Sequence, residues 1–349
     1  MKKRGWLALL ASTAIVASCG GDDDEPTPTP TPGPTSPAPS PGPTTPAPPT
    51  YRSFATLIAL AGEVPFKTTC ASMQPATQTL NPVTAFGTGP ALVRTATVDN
   101  WTFTVNGKVT SFAASEKVTQ PTGSTDVEFR RTTAGVTESL LIAGPDSRYT
   151  HTAFTRRVVA TVADNAGVVT RYECMVGDPT LATDLPTTEA DIALNNVSLI
   201  GNAVISSGPN AGTYVLANPA DSATPLITTT VNTKTNRVTV SIQLRGRKVV
   251  DGTVQTAVVD LGTYTSTATI TPASTNIIGT LASSNREVLT GQISGWSFGP
   301  RLTESGYAFA IQSQEAGTTN RLTATGTMIA LRSVIEPSPT PTSTATPTT

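Results

Sequence analysis

The sequence predicts an all-β protein whose second half is an antiparallel β-barrel of about eight strands. Three observations carry this expectation. Thr, Ser, Val, Ala and Gly dominate a chain with only 13% charged and 5% aromatic residues, a composition that suits pleated sheet and turns better than amphipathic helix. Apolar and polar residues alternate with period two in run after run beyond Tyr51, and clusters of Gly, Asn, Pro and Ser separate the runs. Finally, 12 of the 29 prolines fall between Pro26 and Pro49 and four follow Glu336, so the foldable body is confined to Tyr51–Glu336.

At the N-terminus Lys2, Lys3 and Arg4 precede an apolar run from Gly5 to Ala17, the pattern of a secretory signal spanning residues 1–18. The run ends in Val16-Ala17-Ser18-Cys19, which resembles a bacterial lipobox and marks Cys19 for acylation. Diacyl plus amide-linked chains exceed the two signals that stable membrane attachment needs. Gly20 lacks the aspartate that retains such proteins at the inner membrane, so the outer membrane is the expected address. Residues 19–50 then read as a lipidated, disordered tether. Its Pro/Thr/Ser/Ala/Gly composition builds no core and prefers polyproline II, reaching roughly 75 Å for about 25 residues. The acidic run Asp22–Glu25 reads either as a surface-export cue or as a solvated linker start.

Residues 51–190 are expected to form a β-rich domain, with strands at Trp101–Val105, Val127–Thr132, Thr137–Ile142, Arg157–Ala163 and Val168–Met175. Asn106-Gly107 and Asn165-Ala166-Gly167 are its turns, and a helical segment fits within Ser53–Leu60. Asp178–Ile192, with two prolines and four acids, lacks any alternation and marks a boundary. Residues 191–336 carry the regular part. In Val238–Leu244 every second residue is apolar, so one face is buried and the other wet. Similar runs at Thr213–Ala217, Leu226–Val231, Val258–Thr265, Asn276–Ala282, Val288–Phe298, Tyr307–Gln312 and Leu322–Leu331 bring the count to about eight. Closure into a barrel removes the open edges that so polar a sheet would otherwise expose. Residues 337–349 form a Pro/Thr tail.

Within Thr290–Phe309, Gly295, Phe298, Gly299, Pro300, Glu304, Gly306 and Phe309 follow the approximate pattern Gly-x-Phe-Tyr-Gly-Pro-x-Ala-x-Glu-x-Gly-Gly-x-Phe. Phe298 keeps an aromatic at the tyrosine place, whereas Ser297, Leu302 and Tyr307 depart from it. This segment resembles the signature hairpin of the transferrin-binding protein B β-barrel family, and Gly326 with Leu331-Arg332 resembles that family's last strand. The resemblance implies a surface-facing outer-membrane lipoprotein with a handle domain before its barrel, whose loops hold a partner. It implies no particular ligand. The motif itself reads as structural, with glycines for close approach and Pro300 where the strand stops.

The remaining residues point to no catalytic group, cofactor or metal. His151 stands alone, no serine occupies a Gly-x-Ser-x-Gly elbow, and zinc would need more ligands than Cys70 and Cys174 supply. Lys plus Arg balance the acids, 23 against 24, which argues against nucleic acid as a partner. Arg130-Arg131 and Arg156-Arg157 are the densest basic spots, and Trp101 and Trp296 read as core or as partner contacts. Cys70 and Cys174 are expected to pair in an oxidising, exported setting, the alternative being two buried thiols. The functional expectation is a monomeric, membrane-anchored binding protein for an unknown protein or solute. The competing readings are a structural or glycan-contacting envelope lipoprotein and, behind it, a secreted hydrolase.

Overall fold

A computed structural model describes residues 50–332 apart from 98, 146–151, 188–190, 217–225 and 275. The signal and tether residues, Cys19, His151 and residues 337–349 lie outside the described residues. Among the described residues the fold is all-β with one short α-helix, α1 (Phe54–Ile58). The Ser53 hydroxyl accepts from the Thr56 N–H at 3.1 Å and so caps α1. Eleven strands follow: β1 (Val64–Phe66), β2 (Thr68–Gln74), β3 (Thr79–Asn81), β4 (Ala91–Arg94), β5 (Trp101–Val105), β6 (Lys108–Phe112), β7 (Lys117–Val118), β8 (Val127–Thr133), β9 (Val136–Ile142), β10 (Thr155–Ala163) and β11 (Val169–Gly177). They make a four-stranded sheet ordered β1-β4-β5-β6 and a seven-stranded sheet ordered β3-β2-β11-β10-β9-β8-β7.

The two sheets share one core. Phe66, Leu92, Phe103 and Phe112 of the smaller sheet meet Phe129, Leu140, Val158 and Val176 of the larger. Asn106 and Gly107 join β5 to β6 with φ of 49° and 78°, the left-handed pair that a two-residue hairpin loop requires. Cys70 and Cys174 stand directly opposite each other on β2 and β11 and form a disulfide across 104 positions, with Cα atoms 4.1 Å apart.

The remaining strands are β12 (Ile192–Ile205), β13 (Gly212–Leu216), β14 (Ile227–Asn232), β15 (Arg237–Val250), β16 (Thr253–Thr271), β17 (Asn276–Thr280), β18 (Ala282–Ser283), β19 (Arg286–Phe298), β20 (Glu304–Glu315) and β21 (Arg321–Arg332). Antiparallel pairing runs β12-β21-β20-β19-β17-β16-β15-β14 and returns to β12, a closed ring of eight strands. β13 and β14 share one place in the wall: β14 pairs with the N-terminal halves of β12 and β15, and β13 with their C-terminal halves. Aliphatic and aromatic side chains fill the interior, including Val240, Ile242, Tyr264, Phe309 and Ile311. Period two explains why β20 is buried on both faces. Tyr307, Phe309 and Ile311 point into the ring, while Ala308 and Ala310 point outward against Ala71 and Val83 of the first half. The seven-stranded sheet is thus the middle of three layers.

Two differences from the sequence reading have physical causes. β12 belongs to the ring, yet its alternation is hidden, because a register shift between Asn196 and Ser198 puts the two halves of the strand out of phase. β15 and β16 run well beyond Val238–Leu244 and Val258–Thr265: Thr253–Ala257 is exposed and carries no core-facing pattern, whereas Ser266–Thr271 keeps the alternation but buries Ser266 and Ala268 beside Ile270, small or polar side chains that read weakly as core.

Candidate functional site

The motif hairpin joins the ring to the first half. β19 stops at Phe298, and Gly299 takes φ 71° and ψ −174°, a conformation essentially reserved for glycine. A Cβ there would lie 2.4–2.8 Å from the Phe154 ring, so the glycine also lets Phe154 approach. Pro300 then opens a short 3-10 turn, Pro300–Leu302. A Cβ on Gly306 would meet the Met175 methyl at 2.8 Å, and one on Gly295 would meet the Gly306 carbonyl at 2.2 Å. Phe298 packs edge-on against Phe86 with ring centroids 5.6 Å apart, and Phe309 is fully buried inside the ring.

Glu304 is also fully buried, and its carboxylate reaches the start of β10. It accepts from the Ala153 N–H, from Phe154 N–H at 3.1 Å and from Thr155 N–H at 2.8 Å. Burial raises the Glu304 carboxyl above its ordinary value, partly offset by those three N–H groups and the Arg156 charge. Next to it, Asp178–Asp184 is stitched to the hairpin. The Trp296 indole donates to the Thr180 carbonyl at 2.9 Å, the Thr180 hydroxyl to the Gly299 carbonyl at 2.6 Å, and the Gly299 N–H to the Asp178 carbonyl at 2.9 Å. Asp184 accepts from the Tyr51 hydroxyl and from the Arg301 N–H, both at 2.9 Å. Burial, with the nearby Asp184, pushes the Tyr51 phenol up to about 12. The motif therefore builds a junction in which the polar groups are engaged with one another.

The other residues singled out in the sequence are also structural. Arg131 chelates Glu138 at 2.6 and 2.9 Å, Arg130 meets Glu128 at 2.6 Å, and Arg157 meets Glu173 at 2.9 Å. Arg156 is buried over the Phe54 ring and donates to the Thr152 and Thr155 carbonyls at 2.6 Å. These arginines hold the first half together and do not present a basic docking patch. Trp101 and Trp296 are both core residues.

The surface feature that stands out lies at the opposite end of the ring. Tyr51, Asp184, Arg301, Glu304 and the end of β21 mark the end where the described chain enters. β15 starts at that end, with Arg237 opposite Asn232, and runs to Val250 at the far end. There Asp251 and Gly252, with φ of 49° and 76°, turn the chain tightly into β16. Over Thr253–Asp260, β16 pairs with β15 alone among the described strands. The register places Val254 opposite Val249 and Val258 opposite Arg247. Val250, Val254 and Val258 are 43%, 46% and 47% exposed, although period-two alternation buries the valines and isoleucines of the same strands closer to the ring. Neither strand's sequence signalled this, because an exposed valine and a buried one read alike without knowledge of where the wall ends.

Comparison with known proteins leaves the family open: no protein-family model matches, and no curated protein matches. Solved structures do match. Transferrin Binding Protein B from Haemophilus parasuis Hp5 aligns at 13% identity over 77% of this chain and 45% of its own, with a TM-score of 0.42. The isotype 1 transferrin binding protein B from serogroup B Neisseria meningitidis aligns at 11% identity over 71% and 52%, with a TM-score of 0.35. The haemoglobin receptor HpuA from Kingella denitrificans aligns at 10% identity over 80% and 93%, with a TM-score of 0.30. The chain spans about half the length of the transferrin-binding structures it is similar to.

Proposed function

We propose that this protein is an outer-membrane, surface-exposed lipoprotein, anchored through Cys19, that binds a protein ligand without catalysis and does so through the distal β15–β16 hairpin. One observation carries the reading: Val254 and Val258 stand exposed on one face of the β15–β16 hairpin, beside β13, at the end of the ring remote from Tyr51. A junction at one end and an apolar ribbon at the other is the layout of a domain held by its base and read at its tip. Clustered exposed apolar side chains mark interaction surfaces, and a hairpin held by a closed ring presents them with little entropy left to lose on docking. The similarity to transferrin-binding and haemoglobin-receptor structures fits a protein ligand and leaves its identity open.

The test is photocrosslinking in intact cells. A photoreactive residue at Val254 is expected to yield a protein adduct, whereas one at Thr267, exposed on the ring wall, is expected to yield none. Equal adducts from both positions, or none from Val254, would remove the hairpin from the reading.

A further inference from the structure

A cleft of about 430 Å³ opens between the two sheets of the first half, and none of its lining residues belongs to the junction or the distal hairpin. Its size falls in the range of roughly 300–1,000 Å³ typical of small-molecule sites. Gln74 and Asn81 line one side, Thr104 and Thr110 another, and Thr170 and Tyr172 a third. The Tyr172 ring packs against Phe103 with centroids 5.5 Å apart.

The charges at the cleft are already engaged. Lys108 Nζ donates to the carbonyls of Ala163 and Asp164 and lies 3.7 Å from Glu138. The Asp164 carboxylate accepts from the N–H groups of Ala166 and Val168 at 2.8 and 2.9 Å. An anionic ligand would meet the negative Asp164 carboxylate with Lys108 already engaged, and an apolar one would strand hydroxyls and amides against carbon. What the walls offer is neutral. Gln74 Oε1 accepts from the Thr77 hydroxyl at 3.1 Å, which leaves its amide NH₂ to donate. Asn81 donates to the Ser72 hydroxyl at 2.9 Å, which leaves its carbonyl to accept. Tyr172 adds an aromatic surface whose negative face suits the C–H bonds of a sugar ring.

We infer that this cleft binds a short neutral saccharide of two or three units, with Gln74 and Asn81 as its amide contacts and Tyr172 as its aromatic wall. The site is separate from the proposed protein-docking hairpin, so either can fail without the other. The test is amide NMR on the full chain, titrated to millimolar levels with N,N′-diacetylchitobiose, cellobiose and maltotriose in turn, and with inorganic phosphate for comparison. At least one saccharide is expected to shift resonances in the Gln74, Asn81 and Tyr172 segments, and phosphate to shift none. Gln74→Ala, and separately Asn81→Ala, should weaken the effect by about 3- to 10-fold, the loss of one hydrogen bond to the ligand, while the amide spectrum stays that of the folded chain. Silence from all three saccharides, an equal response to phosphate, or affinity unchanged in both variants would overturn the assignment.

Discussion

The Glu304 carboxylate accepts from three consecutive backbone N–H groups, and a glutamine can serve only part of that set because its amide has a single accepting oxygen. Glu304→Gln would leave a buried N–H facing an NH₂ group, at a cost of about 1–3 kcal/mol. The pH dependence has a definite sign. Because burial raises the folded-state pKa above the ordinary 4.5, the native protein holds this proton more tightly than the unfolded chain does. The contribution is complete below the unfolded value and is lost as pH rises through the folded one. Urea unfolding across a pH series should therefore show the Gln penalty largest in acid and shrinking as pH rises. A penalty that grows with pH would contradict this account. Glu304 was legible in the sequence as a motif residue, but its role was not, because the three donors lie about 150 positions earlier in the chain.

At the level of elements, the disulfide ties β2 to its immediate neighbour β11, so it locks one ladder of the middle layer. The chain-entropy model assigns roughly 4–5 kcal/mol to so long a loop, and losses on removing native bridges run about 2–5 kcal/mol. A Cys70→Ala/Cys174→Ala variant should show faster hydrogen exchange in β2, β10 and β11, while β15 and the inner part of β16 keep their protection. Equal loosening of both regions would argue against a division of the body near residues 178–195, which we propose as the domain boundary. Strands with uninterrupted alternation were readable: β5 and β9 lie where the pattern placed them, and β19 was found despite a register shift between Val288 and Thr290. β12 was not, because its bulge flips the phase, and neither was β2, whose two buried faces leave no alternation to detect. The cysteine pairing followed from composition and setting. The handle cleft had no sequence signal at all, since its Gln, Asn and Thr residues are gathered from strands far apart in the chain.

For the whole molecule, three layers fix the distal hairpin relative to the point of entry at Tyr51. The four-stranded sheet covers one face of the seven-stranded sheet, β20 of the ring covers the other, and the junction around Glu304 stops them sliding. The proposed tether and lipid would hold this body by its entry end. Cys19→Ala should move the protein from the detergent phase to the aqueous phase, and retention in the detergent phase would exclude Cys19 as the anchor. The central claim is that the hairpin docks a protein partner. Its most direct test is the affinity of the partner captured at Val254, compared between the parent chain and a Val254→Asp/Val258→Asp variant. Both valines are about half exposed, so reburying each is worth about 1 kcal/mol, and aspartates there would instead have to be desolvated. The account expects affinity to fall by at least about 10-fold with the melting temperature unchanged, whereas unaltered affinity in the folded variant would contradict it.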